Sequence, residues 1–157
     1  MATPPNTPAE RFLSHLYQIF QVEPEFFPMQ QGDSSLPAVT ALVYHDVPEP
    51  GFMTGITYGL SLGNHPEWKF GRPELCITVE SGEPAWATVA AFVANAMRGE
   101  CPFTYGSTIN FHEQIHEQSN MSAFFVFAPS ILERDQYTDI EIGAPYKINI
   151  AGLYPIY

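Results

Sequence analysis

His112-Glu113-Gln114-Ile115-His116 is a literal H-E-x-x-H. On a helix this spacing sets two imidazoles on one face, where they can ligate zinc while the glutamate between them activates water for hydrolysis. The flanks argue against that chemistry. Pro102, Gly106 and a β-type run ending at Phe111 stand upstream, and Ser119-Asn120 close the segment downstream, leaving room for at most about two helical turns. Asn110 and Glu113 have the spacing of an N-cap arrangement, in which the carboxylate serves the backbone instead of a water molecule. No third ligand declares itself, because Glu133, Asp135, Asp139 and Glu141 lie in or beside predicted turns and strands with nothing to single one out. The string therefore reads as a polar surface turn, with no cofactor and no resident metal. The alternative is a zinc-dependent hydrolase with His112 and His116 as ligands and Glu113 as general base.

Other catalytic constellations are weaker. The sequence has no G-x-S-x-G elbow, no P-loop and no G-x-G-x-x-G, and its carboxylates show no glycosidase-like pairing. His15 falls on the polar face of a predicted helix, His45 at a strand end and His65 in a turn. Cys76 and Cys101 are too few for a disulfide framework and form no C-x-x-C, so they read as reduced, core-type thiols. No catalytic residue is expected, and the chain reads as a non-enzymatic binding domain. The candidate contact residues are acidic: Glu113, Glu117, Glu133, Asp135, Asp139 and Glu141 crowd the last third, opposed only by Arg134 and Lys147. Such a face speeds encounter with a basic protein and selects among partners.

Whole-chain charge agrees with that choice of partner. Six basic against seventeen acidic side chains give a net charge of −11, which repels nucleic acid and anionic lipid. The N-terminal residues lack the basic and apolar regions of a signal peptide, and no apolar run is long enough to span a bilayer, so a cytoplasmic location is expected. With 157 residues, 45% of them hydrophobic and 15% charged, a folded chain is expected: a flexible tail over 1–7 and one domain over 8–157.

The elements that position these residues can be read from caps and periodicity. Thr7-Pro8-Ala9-Glu10 supplies an N-cap, a proline at the first helical position and a capping-box glutamate; Phe12, Leu13, Leu16, Tyr17, Ile19 and Phe20 form the apolar face, and Pro24 bars extension much past Val22. Residues Phe26 to Leu36 read as a loop and Val39 to Tyr44 as a strand. Phe52 to Leu62 reads as one period-two strand, with Gly55 and Gly59 opposite the apolar stripe, where a bulge or close backbone approach fits. Between Arg72 and Glu80, Leu75, Ile77 and Val79 alternate with Glu74, Cys76, Thr78 and Glu80. A helix is predicted from Ala85 to Met97 with Trp86, Val89, Ala90, Val93, Ala96 and Met97 in one stripe. Strands are predicted at Ser107–Phe111, Ala123–Ala128 (central), Thr138–Ile142 and Tyr146–Tyr154. The class is α+β: a mixed, mostly antiparallel sheet with two main helices packed against it.

Tyr58-Gly59-Leu60-Ser61, Gly71-Arg72-Pro73-Glu74-Leu75, the Trp86 helix, Ile109-Asn110-Phe111, Ala123 to Pro129 and Leu153-Tyr154-Pro155-Ile156-Tyr157 occur in an order that resembles the suppressor of fused domain family in its bacterial single-domain form. The resemblance runs from about Pro24 to the C-terminus and rests on the ordered series. It implies an α+β domain used for protein binding, whose bacterial members look like immunity proteins that neutralise partner toxins. A basic toxin or effector domain is the partner so implied, and His112 and His116 become incidental. The animal relative clamps its transcription-factor ligand with an additional C-terminal domain that has no counterpart here, so that ligand is not carried over. Relatives are expected to continue past the position of Tyr157, which leaves an apolar surface near the last strand to be covered. That surface and the 14% aromatic content also raise a third reading, a homo-oligomeric structural module.

Overall fold

The N-terminal capping signal forms as the sequence predicts. In a computed structural model of the chain, which describes residues 7–29, 38–62, 71–80, 85–96, 106–110 and 121–156, helix α1 spans Pro8–Phe20. Thr7 is extended (φ −107°, ψ 154°) and its Oγ1 accepts from the Glu10 N–H at 3.2 Å. Gln21 closes the helix in the left-handed region (φ 58°), its N–H donating to the Tyr17 carbonyl at 2.8 Å. Phe12 and Leu16 are buried, whereas Tyr17 is exposed. It sits one residue, about 100° of helix rotation, beyond Leu16 and so leaves the apolar stripe.

Among the described residues, seven strands form one sheet in the order β1-β2-β3-β4-β7-β6-β5. They are β1 (Glu25–Pro28), β2 (Thr40–His45), β3 (Met53–Tyr58), β4 (Arg72–Val79), β5 (Thr108–Asn110), β6 (Ala123–Phe127) and β7 (Ile148–Ile156). The β4–β7 pair is parallel and every other pair antiparallel, as expected for a mixed sheet. Parallel pairing needs a crossover, and residues 80–147 supply it, carrying helix α2 (Ala85–Ala96), β5, β6 and the short α3 (Arg134–Tyr137). As predicted, β6 is interior, between β7 and the edge strand β5.

Both faces of the sheet are covered. On one, Ala41, Val43, Leu75, Ile77, Val126 and Leu153 pack with α2. The contact face of α2 is built mainly from Ala87, Ala90, Ala91 and Ala94, with Trp86 and Val89 only partly buried and Phe92 outside. Small side chains let the helix lie close, and Gly55 is where it comes closest: a Cβ there would collide with the Ala87 Cβ and lie 3.3 Å from Ile77 Cγ2. On the other face, Leu42, Tyr44, Ile56, Cys76, Ile148 and Ile150 pack under Phe12 and Leu16 of α1 and under Leu132, Ile140 and Ile142.

Four local expectations are corrected. Residues 26–28, expected to begin a loop, belong to strand β1, because pairing with β2 supplies hydrogen bonds that a composition containing Pro28 does not signal; an edge strand tolerates that proline. The strand predicted over 52–62 ends at Tyr58, where Gly59 (φ +132°) turns the chain into a 3-10 turn at Leu60–Leu62. Thr138–Ile142 is no strand but a single bridge, Ile140 to Ile148, preceded by the unanticipated α3. Glu74 and Cys76, assigned to a polar face of β4, are buried, because α1 and the segment after Pro129 cover that side.

Candidate functional site

Glu74 has no accessible surface. Its Oε1 accepts from Thr57 Oγ1 at 2.7 Å and the Leu60 N–H at 3.3 Å, and its Oε2 from the Gly59 N–H at 2.9 Å, the Ser61 N–H at 3.0 Å and Ser61 Oγ at 2.6 Å. Thr57 Oγ1 in turn accepts from the Leu75 N–H at 2.8 Å, which commits its own proton to Glu74. Burial pushes the Glu74 carboxyl above its ordinary range, and the hydrogen bonds from Ser61, Thr57 and Gly59 pull it part of the way back. A general base must reach a substrate proton, and this carboxylate is sealed from solvent. Its chemistry here is structural: it collects the N–H groups of the turn after β3 and ties them to β4. Tyr58-Gly59-Leu60-Ser61 and Gly71 to Leu75, the two strings that open the ordered series, meet in this knot.

Arg72 extends the knot outward. Its Nη1 donates to the Ser61 carbonyl at 3.2 Å, and its guanidinium carbon lies 4.1 Å from the centre of the Tyr146 ring. The Tyr58 hydroxyl is pushed up to about 12, mainly by burial and further by Tyr146 and Glu74.

The acidic residues singled out in the sequence divide into two groups. Glu113 and Glu117, with His112 and His116, lie outside the described residues. Glu133, Asp135, Asp139 and Glu141 lie on the stretch that crosses the α1 side of the sheet, and all four are exposed. The reason is alternation: Ile140 and Ile142 point into the core between α1 and β7, so Asp139 and Glu141 point out. Glu133 and Asp135 begin α3, where the Glu133 N–H donates to Gln136 Oε1 at 2.8 Å. Lys147 Nζ lies 3.5 Å from Glu141 Oε1, an exposed pair worth little. His15 holds this stretch to α1 through a 2.8 Å contact between its Nε2 and the Gln136 carbonyl.

An exposed aromatic region accompanies β6 and β7. Phe127 is 51% exposed and stacks on Phe125 with centroids 6.0 Å apart. Tyr154 Oη donates to the Ala128 carbonyl at 2.6 Å and accepts from the Ser130 N–H at 2.9 Å, fixing the chain as it leaves β6. His45 is a strand-end residue whose Nε2 lies 3.0 Å from Glu25 Oε1. Cys76 is buried, its thiol pushed up to about 12 by burial despite a hydrogen bond with Thr78, while Cys101 and His65 lie outside the described residues. Among the described residues, no three His, Cys, Asp or Glu side chains gather to hold a metal ion, and no helix is long and apolar enough to cross a membrane.

Sequence reasoning missed Glu74 as the fixed point of the molecule. The signal was present: a glutamate set among Pro73, Leu75, Cys76 and Ile77, with an upstream Gly-Leu-Ser turn whose N–H groups need an acceptor. Neither a protein-family model nor a curated protein matches the sequence. Among solved structures, the crystal structure of a SUFU (suppressor of fused protein) homolog from Neisseria gonorrhoeae FA 1090 superposes with a TM-score of 0.70 at 20% identity, over 94% of this chain and 76% of that one. With the mixed sheet and its covering helices in place, the superposition establishes architecture: the chain folds as a suppressor of fused-like α+β domain.

Proposed function

We propose that this domain is a non-enzymatic protein-binding module whose acidic surface docks a basic partner, and that it serves as an immunity protein holding a toxin or effector domain inactive. The observation that carries the reading is the display of Glu133, Asp135, Asp139 and Glu141 on one stretch held against the sheet by Leu132, Ile140 and Ile142, in a chain of net charge −11. Charge presented on an anchored stretch loses little freedom when a partner arrives. Affinity would then come from a few apolar anchors and speed from the field. The resemblance in the ordered sequence strings supports the immunity role.

The test begins with the product of the reading frame beside the gene, purified and captured on a sensor surface. Raising ionic strength from about 0.01 M to about 1 M shortens the Debye length from about 30 Å to about 3 Å. The association rate should fall by about tenfold or more, with dissociation changing by less than about threefold. The combined variant Glu133→Gln, Asp135→Asn, Asp139→Asn and Glu141→Gln should associate slowly even at low salt. Association that ignores salt would refute steering by charge, and absence of any complex with the neighbouring product would refute the immunity role.

A further inference from the structure

A cleft of about 420 Å³ opens where α1 ends, bounded by the turn after β2 and by the residues leading into α3. Phe20, Val22, Val47 and Ile131 form its apolar part, with Val22 41% exposed. Among the described residues, the charged groups lining it are two carboxylates, Asp46 and Glu133. Asp46 is held in place by its left-handed backbone (φ 58°) and by the Gly51 N–H, which donates to its Oδ1 at 3.2 Å. The last turn of α1 contains no basic residue, so the carbonyl end of the helix adds about half a negative charge beside the opening.

We infer that this cleft seats a basic segment of a partner protein, an apolar side chain on Phe20, Val22, Val47 and Ile131 and an adjacent lysine or arginine between Asp46, Glu133 and the end of α1. The inference rests on the protein-binding reading above and adds a place and a chemistry to it. A long cationic side chain suits the site because its methylene stem covers apolar surface while its head meets the carboxylates and the helix carbonyls. A second copy of this chain is a poor occupant, since only six of its residues are Lys or Arg against seventeen acidic ones. Nucleic acid and anionic lipid meet the same repulsion.

The full chain, labelled with nitrogen-15, is titrated with three capped peptides: Leu-Lys-Arg-Leu-Lys, Gly-Lys-Arg-Gly-Lys and Leu-Glu-Glu-Leu-Glu. The first should shift the amides of Phe20 to Val22, Asp46, Val47, Ile131 and Glu133. The glycine peptide should bind about tenfold more weakly, and the acidic one should cause no shift. Asp46→Asn with Glu133→Gln, both compatible with the observed backbone, should weaken the first peptide about tenfold without changing the thermal midpoint, and Val22→Ser should weaken it independently. Shifts confined to Asp139 and Glu141 would overturn the placement and leave the basic-partner reading standing. No shift anywhere at millimolar peptide would overturn both. Binding at the cleft that ignores the Asp46 and Glu133 substitutions would overturn the charge recognition.

Discussion

Replacing Glu74 with glutamine exchanges one acceptor oxygen for an N–H₂ group inside a cage whose neighbours all donate. If the amide oxygen takes the Oε2 position, it keeps the Gly59 N–H and both donors of Ser61, and the N–H₂ faces Thr57 Oγ1 and the Leu60 N–H. Thr57 already accepts from Leu75, so its own proton loses its acceptor, as does the Leu60 N–H. The flipped amide strands three donors instead of two. At about 1–3 kcal/mol for each buried donor left unmade, Glu74→Gln should cost about 2–6 kcal/mol, a large part of a typical stability of about 5–15 kcal/mol. Urea unfolding followed by circular dichroism reads this cost, with the exposed Glu49→Gln as control. Dependence on pH gives a second, signed test. Burial raises the folded-state value of Glu74, so its contribution is fully present below the unfolded carboxyl value of about 4.3 and is lost as pH rises through the higher folded value. The stability advantage of the natural chain over Glu74→Gln should therefore widen as pH is lowered from 7 toward about 5. A cost below about 0.5 kcal/mol would refute the donor-cage reasoning, and an advantage that narrows on acidification would show that the five donors outweigh burial in setting the folded-state value of Glu74.

Three further outcomes follow from the packing. Gly55→Ala should cost about 1–3 kcal/mol by pushing α2 off the sheet, and Ala87→Gly in the same chain should recover part of it despite about 1 kcal/mol of lost helix propensity; a double variant no more stable than Gly55→Ala alone would deny the close approach. Among the described residues the buried Tyr44 hydroxyl has no hydrogen-bond partner, so Tyr44→Phe should leave stability unchanged or raise it by up to about 2 kcal/mol, and a loss above about 1 kcal/mol in thermal unfolding would contradict that. With its thiol pushed up to about 12, Cys76 should resist iodoacetamide at pH 8 in the native chain and react in urea, as read by peptide mass mapping; native labelling would show the strand open to solvent.

Features that depend on near neighbours were legible in the amino-acid order. Thr7 and Pro8 started α1 because a cap and a fixed φ act within one turn, and the alternation of Leu75, Ile77 and Val79 marked the α2-facing side of β4. It likewise separated Asp139 and Glu141 from Ile140 and Ile142, although pairing reduces that stretch to a single bridge. Gly55 was legible as a site of close approach, but Ala87 as the group approaching it was not. Tertiary structure alone decided the fate of Glu74. Period two reports which side a residue takes and is silent on what covers that side, and the donors that cage this carboxylate come from residues 13 to 17 positions upstream. The cleft at the end of α1 is non-local in the same sense. Phe20, Asp46 and Glu133 carry no mutual spacing in the chain, and only the stacking of helix, sheet and crossing segment brings an apolar floor and two carboxylates to one place.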